Sequence, residues 1–469
     1  MRISAKEIEI AVGGRIISDC KDGHVDNVST DTRETCKNSL FVPLIGIHFD
    51  GHAFINDAYA KGASICLTER DIPLDDNFSN KTLIRVENTL SALGKLAAWY
   101  RLRFTPLVIG ITGSSGKTTT KEMISLVLSK KYNVLKTQGN KNNEIGLPLT
   151  IFGLNEKHNA MVLEMGMNMP GEISRLSKIA RPDAAVITNI GLAHVGRFGT
   201  KQSILKAKME IMDGLSKNGT VFLNGDDILL HGLMGLIDRQ IVYFGIDENL
   251  DIIGTDIRVR GDEGITFQFQ WQMSDFEVSL NVAGAHNVYN ALAAVAVGLL
   301  NDISPDNIVD ALAEYKPDDL RMNIRDVSGI KIINDAYNAN PQSMQAALDV
   351  LSIMDPGRRK IAVLGDMLEL GDLSKQCHRD IGSYVAHKNI DMLISVGVYA
   401  EETVAGLRDS GTESVESVCF DNRDRATEFL LNQIQSEDII LVKGSRNMKM
   451  ERIAEEIETQ RTAGGSDYA

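Results

Sequence analysis

The chain has 469 residues and a formal net charge of −14, and these two numbers already exclude some classes of protein. A chain this long exceeds what one hydrophobic core usually serves, so we expect two to four domains. The negative charge argues against general binding of nucleic acid or anionic membranes, because nothing over the whole surface offsets repulsion from phosphate.

Cysteine usage and apolar runs indicate the compartment. The five cysteines are odd in number and show no C-x-x-C spacing: Cys20, Cys36, Cys66, Cys377 and Cys419. Such a set is typical of a reducing cytosol and argues against disulfides or structural zinc. The N-terminus is too acidic for a signal peptide, and the longest apolar run, residues 291–300, is about half a membrane span. We therefore expect a cytoplasmic protein without membrane insertion.

The pattern along the chain predicts three α/β domains and a tail. Residues 1–85 combine short strands, such as SLFVPLIG, with a helix in FINDAYAKGA. Residues 86–315 alternate strands and amphipathic helices, which indicates a parallel sheet, and end in short alternating runs (DIIGTDIRVR, GITFQFQ, FEVSLNVAG) suited to an antiparallel annex. Residues 316–460 alternate again and resemble an open sheet of dinucleotide-fold type. The polar tail, residues 461–469, is expected to be disordered.

The central block opens with a candidate phosphate-binding loop, GITGSSGKTTTKE, between the apolar run LVIGIT and a helical segment. In such a loop, backbone N–H groups and the helix N-terminus face phosphates, a lysine adds charge and a threonine hydroxyl can reach Mg²⁺. The strict G-x-x-x-x-G-K-[ST] pattern is absent, because Ile111 stands five residues before Gly116. What remains is G-x-x-G-K-T, and an ordinary Gly/Ser turn before a helix is the alternative.

Two further side chains follow strands of this block, at the edge where open α/β sheets bind ligands. Glu164 ends the apolar strand in NAMVLEMG, and His194 follows the strand in TNIGLAHVGRFGT. A carboxylate at such a strand end is costly unless a cation pairs with it. Either residue alone could be part of a capped turn or a satisfied core group. Together with Lys117 and Thr118 they predict a metal–triphosphate site.

Eight motifs in order extend this interpretation over essentially the whole chain except the tail: GITGSSGKTTTKE, TQGNKNNEIGLPLT, LEMGMNMPGEI, TNIGLAHVGRFGT, AGAHNVYNALAA, NDAYNANPQSM, LGDMLELG and LVKGSRNMKME. In this order they resemble the Mur ligase superfamily, closest to its dipeptide-adding branch, and G-x-x-G-K-T is that family's form of the loop. The tripeptide-forming branch typically reads D-Y-A-H-x-P where this chain reads DAYNANP. Its D-N-P-R signature is also absent, and FDNRDRA resembles it only superficially.

The resemblance implies an ATP-dependent amide ligase that adds D-alanyl-D-alanine to UDP-N-acetylmuramoyl-tripeptide through an acyl phosphate, in peptidoglycan precursor synthesis. The expected partners are these small molecules, with ATP and two Mg²⁺ ions as cofactors, no nucleic acid, and a monomeric chain. One alternative is a family member that adds a single amino acid. Another is a P-loop NTPase switch, which would leave the clusters NVSTDTR and NDAYNANP unexplained. A folylpolyglutamate-synthetase-like ligase would not predict the N-terminal UDP-sugar block.

The same resemblance assigns residues of the central block to ATP and metal. The loop residues implied to bind ATP are Gly113, Ser114, Ser115, Gly116, Lys117, Thr118 and Thr119. Thr118 and Glu164 would bind Mg²⁺, His194 a second Mg²⁺, and Lys208 stands where several relatives carry a carbamylated lysine. An ammonium beside a dication is repelled, whereas a carbamate reverses the sign of the charge. The alternative for Lys208 is a solvated helix lysine.

Further residues are implied to meet the nucleotide or the incoming amine. His286, Asn287 and Asn290 would contact the nucleotide, although N-capping could explain one asparagine. Arg321 would reach the γ-phosphate on closure. Asp335, Tyr337 and Asn338 would meet the nucleotide and Asn340 the substrate, and a turn before Pro341 could explain the asparagines alone.

The N-terminal block is implied to hold the UDP-sugar. One turn offers hydroxyls, a carboxylate and a guanidinium suited to a diphosphate: Ser29, Thr30, Asp31, Thr32 and Arg33. A polar loop without ligand is the alternative. A second signature contains Asp50, Gly51 and His52, and Asn140, Asn142 and Asn143 resemble residues near the substrate's sugar and peptide.

Overall fold

The computed structural model describes residues 1–18, 23–35, 37–78 and 81–464. The strands are β1 (Ile3–Ser4), β2 (Arg15–Ile16), β3 (His24–Val25), β4 (Asn27–Ser29), β5 (Ser39–Phe41), β6 (Ala63–Thr68), β7 (Thr82–Arg85), β8 (Leu107–Thr112), β9 (Val134–Lys136), β10 (Ala160–Glu164), β11 (Ala184–Ile187), β12 (Thr220–Asn224), β13 (Gln240–Gly245), β14 (Ile252–Val259), β15 (Ile265–Trp271), β16 (Ser274–Leu280), β17 (Asn323–Val327), β18 (Ile330–Asp335), β19 (Lys360–Gly365), β20 (Met392–Val396), β21 (Glu416–Phe420) and β22 (Ile439–Lys443).

The α-helices are α1 (Ala5–Val12), α2 (Ile55–Ala60), α3 (Thr89–Arg101), α4 (Lys117–Ser129), α5 (Gly146–Ile151), α6 (Glu172–Ala180), α7 (Val195–Phe198), α8 (Lys201–Met209), α9 (Ile228–His231), α10 (His286–Leu300), α11 (Pro305–Ala313), α12 (Pro341–Ile353), α13 (Ser374–Ala386), α14 (Ala400–Asp409), α15 (Arg423–Gln433) and α16 (Glu451–Gly464). The described chain forms two compact units. The first contains residues 1–112, 131–186 and 207–221, and the second contains residues 113–130, 187–206 and 222–469.

The first unit contains the N-terminal sheet, in the order β2-β7-β6-β5-β4. Strands β4 to β7 pair in parallel and β2 closes one edge antiparallel. The predicted strand in SLFVPLIG and helix in FINDAYAKGA are confirmed as β5 and α2. They pack together because Phe41, Ile55 and Tyr59 share one buried cluster with Leu83 of β7.

The same unit contains a parallel group in which β10 pairs with both β8 and β9. All five residues of β10 are buried, as expected for a parallel strand covered on both faces. In the register between β10 and β8, Glu164 lies opposite Ile111. The prediction that Glu164 ends a buried strand is therefore confirmed.

The antiparallel annex is found in the second unit. Strand β15 pairs antiparallel with both β14 and β16, while β14 joins β13 in parallel. Helix α10 is apolar on nearly every side and packs against α4, where a Cβ on Gly298 would lie 2.6 Å from Val127 Cγ1. Glycine at this position therefore allows the two helices to approach closely.

The C-terminal sheet of the second unit has the order β17-β18-β22-β19-β20-β21. Strands β18 to β22 pair in parallel, and β17 joins β18 antiparallel at one edge. Sequence analysis did not predict β17 or β21. Both are edge strands with few buried positions, so they lack the continuous apolar run of a central strand.

The C-terminal segment is more ordered than predicted. Helix α16 continues to Gly464, four residues into the segment predicted as disordered, and residues 465–469 lie outside the described part of the chain.

Cys66, Cys377 and Cys419 are free thiols, whereas Cys20 and Cys36 lie outside the described residues. Over the described ranges, the model has no helix with the length and apolar character needed to cross a membrane.

Candidate active site

The loop between β8 and α4 is shaped by two glycines. Gly113 has φ +153° and Gly116 has φ +76°, conformations that favour glycine. A Cβ on Gly113 would overlap Thr188 Oγ1, and one on Gly116 would lie 2.5 Å from Asn290 Oδ1. Both glycines of the G-x-x-G-K-T pattern are therefore required by backbone conformation and by space.

The loop backbone is held by the segment that follows β11. Ser114 N donates to Asn189 O over 3.0 Å, and Ser115 N donates to Asn189 Oδ1 over 3.0 Å. Thr188 Oγ1 donates to Ser115 O over 2.6 Å. Thr188 and Asn189 are functional residues that the motif TNIG did not predict, although a polar pair directly after a buried strand was a usable signal.

The first residues of α4 continue the loop. Lys117 Nζ donates to Gly113 O over 3.0 Å, so the ammonium lies over the loop. Thr118 is buried. Thr119 is hydrogen-bonded to the hydroxyl of Tyr315, whose pKa burial raises to about 12. The loop thus has the fixed backbone, the cation and the hydroxyl that a triphosphate site requires.

The two asparagines of AGAHNVYNALAA brace α4 from α10. Thr120 Oγ1 donates to Asn290 Oδ1 over 3.0 Å, Asn290 Nδ2 donates to Asn287 Oδ1 over 2.9 Å, and Asn287 Nδ2 donates to Ala283 O over 2.8 Å. Both asparagines are buried, so this chain satisfies their amides inside the protein. The structure gives them a supporting role, and a direct nucleotide contact for either stays a prediction.

Glu164 is buried at the end of β10, with 2% of its surface exposed. Asn142 Nδ2 donates to Glu164 Oε1 over 2.7 Å, and Glu164 N donates to Thr137 Oγ1 over 3.0 Å. Asn142 therefore positions the carboxylate. Asn143 Oδ1 instead accepts from Gly146 N over 2.8 Å at the start of α5, and Asn140 is exposed.

The oxygen groups of Thr118 and Glu164 are hard ligands of the kind Mg²⁺ prefers. Among the described residues, no three His, Cys, Asp or Glu side chains converge as a metal site. Mg²⁺ commonly takes only one or two protein carboxylates and completes its shell with water and substrate phosphates. Thr118 in the second unit and Glu164 in the first each offer an oxygen donor suited to an ion that takes few ligands from the protein.

His194 contacts a carboxylate that sequence analysis did not select. Its Nδ1 lies 2.6 Å from Glu369 Oε2, and this contact lowers the pKa of the Glu369 carboxyl. Glu369 belongs to LGDMLELG, which was quoted as a motif but given no function. The signal was an acidic residue in a loop after the buried strand β19.

Lys208 is buried on α8, with 2% of its surface exposed, whereas Lys206 on the same helix is exposed. The alternative of a solvated helix lysine is therefore wrong. Lys208 is thus an internal side chain, unlike its neighbour Lys206 on the surface.

Asp335 and Lys443 pair at the carboxyl ends of neighbouring strands β18 and β22. Lys443 Nζ lies 2.5 Å from Asp335 Oδ2 and donates to Asn338 O over 3.0 Å. Met322 N donates to Asp335 Oδ1 over 3.1 Å. Lys443 was not selected from the sequence, although it ends an apolar strand as Glu164 does.

Arg321 lies on the ring of Tyr337, with its guanidinium carbon 3.9 Å from the ring centroid. This cation–π contact joins two residues predicted separately to reach ATP. Asn340 caps α12: its Oδ1 accepts from Ser343 N over 2.9 Å, and its backbone N donates to Ser343 Oγ. The Asn340 side chain thus stabilises the helix start, as the turn alternative expected, and a substrate contact for Asn340 stays a prediction. Asn338 is exposed.

His286 begins α10. Burial lowers the pKa of His286, and the nearby Asp335 carboxylate opposes that shift. The imidazole therefore favours its neutral form, in which it can both donate and accept a hydrogen bond.

In the N-terminal block, Arg33 is the exposed end of the turn that follows β4. Its Nε lies 3.0 Å from Asp31 Oδ1 and its Nη2 2.6 Å from Oδ2, and these contacts lower the pKa of Asp31 to about 2. Ser29 is buried and its Oγ donates to Asp31 O over 2.7 Å, while Thr30 and Thr32 are half-buried. The guanidinium is 86% exposed and can therefore meet an anion.

The second N-terminal signature is largely internal. His52 is 1% exposed; its Nδ1 lies 2.7 Å from Asp50 Oδ1 and its Nε2 accepts from Glu69 N over 3.1 Å. A Cβ on Gly51 would lie 2.7 Å from Leu44 N, and Asp50 also pairs with Arg70. The side chain of His52 thus stabilises the loop, and a substrate contact for Asp50, Gly51 or His52 stays a prediction.

The fold and this loop define an α/β enzyme that binds a nucleoside triphosphate. Family models match three successive parts of the chain: "Mur ligase family, catalytic domain" over residues 24–101, "Mur ligase middle domain" over 111–298, and "Mur ligase, glutamate ligase domain" over 320–446. The chain belongs to the Mur ligase family.

Similar proteins agree with this membership. The UDP-N-acetylmuramoyl-tripeptide–D-alanyl-D-alanine ligase of Bacillus subtilis is 38% identical over 92% of this chain and 93% of its own length. The crystal structure of MurF from Acinetobacter baumannii has a TM-score of 0.90 at 33% identity, covering 98% and 99% of the two chains. The structure of MurF ligase from Thermotoga maritima in complex with ADP has a TM-score of 0.82 at 31% identity. The match covers 93% of this chain and 98% of that chain. These likenesses confirm the predicted three-domain α/β fold.

Proposed function

We propose that this chain is the ATP-dependent ligase that joins D-alanyl-D-alanine to UDP-N-acetylmuramoyl-tripeptide in peptidoglycan precursor synthesis. The observation that carries this function is the likeness to ligases of that name over more than nine-tenths of both chains, together with the phosphate loop held by Thr188, Asn189 and Asn290. The chain acts as a monomer in the cytoplasm.

The reaction follows from charge. A carboxylate is a poor electrophile, so the terminal carboxylate of the tripeptide attacks the γ-phosphoryl group of ATP, giving an acyl phosphate and ADP. The amine of D-alanyl-D-alanine then attacks the acyl carbon, the tetrahedral intermediate expels phosphate, and the amine proton leaves to solvent or a base. The protein contributes positioning and electrostatic stabilisation.

The central block, residues 86–315, binds ATP in this proposal. Lys117 pairs with the β- and γ-phosphates, and the N–H groups of the loop hold them from Gly113 to Thr119. Thr118 and Glu164 supply oxygen ligands to one Mg²⁺ and His194 binds a second. When bound, such ions neutralise charge on the transferring phosphoryl group.

Lys208 is the fourth residue proposed to support the metals. Beside bound dications a positive charge on its Nζ would be repelled, whereas a negative charge would be attracted. Carbamylation of Nζ by CO₂ would provide that anion.

The other two blocks bind the two substrates. Residues 1–85 hold the UDP-sugar, with Arg33 pairing with the diphosphate, and Asn140 and Asn142 lie near the sugar and peptide. Residues 316–460 bind the incoming dipeptide and close on ATP. Arg321, held on Tyr337, then reaches the γ-phosphate, and Asp335 and His286 contact the nucleoside.

A phosphate-release assay with Lys117→Ala tests the proposal. The wild type should release phosphate only when ATP, the UDP-tripeptide and D-alanyl-D-alanine are all present. Lys117→Ala should abolish release while leaving the affinity for the UDP-tripeptide within about twofold, and the exposed Lys131→Ala should match wild type. Phosphate release that needs no amine would favour an NTPase switch, and release with single amino acids would favour another family member.

Arg33→Ala tests the N-terminal site. Loss of a charge-assisted contact to the diphosphate should weaken UDP-tripeptide binding roughly tenfold or more, with ATP affinity unchanged. Thr35→Ala in the same turn is the control. An unchanged affinity of Arg33→Ala for the UDP-tripeptide would mean that NVSTDTR is a polar loop that binds no ligand.

A further inference from the structure

The loop after β19 brings a carboxylate to His194. Glu369 Oε2 lies 2.6 Å from His194 Nδ1, and Gly196 N donates to Glu369 O over 3.0 Å. Arg197 Nη2 lies 3.9 Å from the other carboxylate oxygen. A residue of the C-terminal block thus meets a candidate metal ligand of the central block, within one compact unit.

Two glycines allow this meeting. A Cβ on Gly196 would lie 2.5 Å from Gly371 N, and one on Gly371 would lie 2.7 Å from Gly196 Cα. The loops therefore approach backbone to backbone, which only residues without a Cβ permit. Gly371 also has φ +58°, so its conformation imposes the same requirement.

Both members of the pair have left-handed backbones. His194 and Glu369 each have φ +64°, a conformation that is uncommon for residues other than glycine and that concentrates at functional sites. Their side chains are 21% and 38% exposed. A polar contact between side chains this exposed contributes little to stability, so stability alone does not account for the left-handed backbones of both residues.

We propose that Glu369 is a positioning residue that orients the imidazole of His194. The inference rests on the proposed role of His194 as a Mg²⁺ ligand. Metal-binding histidines commonly keep their other ring nitrogen paired with a carboxylate, which fixes the ring orientation and tautomer. Pairing at Nδ1 leaves Nε2 as the nitrogen for the metal. Because Glu369 comes from the C-terminal block, docking of that block orients the imidazole of His194 for Mg²⁺ binding.

Histidine NMR of the metal-free, full-length protein tests the pairing directly. The ring ¹⁵N resonances of His194 are assigned by their loss in His194→Asn. Glu369→Gln should shift the Nδ1 and Nε2 resonances of His194. Asp372→Asn, which removes an exposed carboxylate from the same loop, should leave them in place. Unchanged His194 resonances in Glu369→Gln would overturn the pairing.

The Mg²⁺ dependence of ligation tests the consequence. Glu369→Gln should raise the Mg²⁺ concentration for half-maximal activity by about tenfold, the lower end for lost carboxylate partners of metal ligands, with KM for the UDP-tripeptide within about twofold. Glu369→Asp should recover part of the effect, and Asp372→Asn should match wild type. Thermal unfolding of each variant checks that the fold is retained.

The metal role of His194 and the positioning role of Glu369 can be contradicted separately. If His194→Ala leaves the Mg²⁺ dependence unchanged, the proposed metal role of His194 is wrong, whatever the NMR shows. If His194→Ala changes it and Glu369→Gln does not, the metal role stands and the positioning role of Glu369 is wrong.

Discussion

Lys443 and Asp335 form a buried ion pair between two parallel strands, with Nζ 2.5 Å from Oδ2. Only 2% of the lysine side chain and 16% of the aspartate side chain are exposed. The lysine also donates to two backbone carbonyls, Asp335 O and Asn338 O. The pair therefore fixes the turn that carries Asn338 and the start of α12.

Removing Lys443 should destabilise the C-terminal block strongly. Lys443→Ala leaves the Asp335 carboxylate without its partner, and we expect a loss of about 3 kcal/mol in the free energy of unfolding. Urea unfolding measures it. Lys375→Ala, which breaks an exposed lysine–carboxylate pair in the same block, is the control and should change stability little. An equal effect of the two variants would mean that burial of the pair is unimportant.

The glycines of the phosphate loop should tolerate no side chain. Gly113→Ala and Gly116→Ala should each weaken ATP binding by roughly tenfold or more, because the new methyl group meets Thr188 or Asn290 and displaces the loop. Calorimetry measures the affinity. Gly235→Ala is the matched control, since Gly235 also has positive φ (+73°) but nothing lies within 4 Å of its Cβ position. If Gly235→Ala weakened ATP binding as much, collision in the loop would not be the cause.

Lys208 should be required for ligation in a way that Lys206 is not. If Nζ is carbamylated, Lys208→Ala should lose most activity, and acetate or formate should restore part of it by occupying the vacated anionic site. The enzyme incubated with ¹³C-bicarbonate should also show a carbamate resonance that Lys208→Ala lacks. Lys206→Ala should behave as wild type. Full activity of CO₂-depleted enzyme together with an active Lys208→Ala would contradict the carbamate.

Acidification should weaken the C-terminal block through His378. Its Nε2 accepts from Met367 N over 3.0 Å and its Nδ1 donates to Ser374 O over 2.6 Å. Burial lowers the pKa of His378, although the Ser374 carbonyl, Asp366 and Glu402 oppose the shift. Below the unfolded pKa of about 6.5, the unfolded chain binds more protons than the native one, so stability falls as the pH drops.

The comparison of wild type with His378→Gln isolates this contribution. The stability advantage of wild type over the variant should shrink between pH 7.5 and 5.5 in urea unfolding. His387→Gln, at the end of the same helix and exposed, should keep the pH dependence of wild type. A constant difference between wild type and His378→Gln across that range would show that His378 does not titrate with unfolding.

The central strands and the phosphate loop could be predicted from the order of residues along the chain. Strand β10 and the loop before α4 depend on local signals: a continuous apolar run, and glycines directly before a lysine and a threonine. Glu164 could be placed because a strand end is a position along the chain. Edge strands β17 and β21 were missed since their residues are only partly buried and carry no such run.

Which side chains contact each other across the fold could not be predicted in the same way. Lys443 lies 108 residues from Asp335 along the chain, and Glu369 lies still farther from His194, so no local pattern pairs them. Burial of Lys208 and of the Asn287–Asn290 chain likewise exists only in the folded protein. Local sequence sets backbone conformation through sterics and hydrogen bonding, whereas charge pairing and burial are set by distances that exist only after the chain has folded.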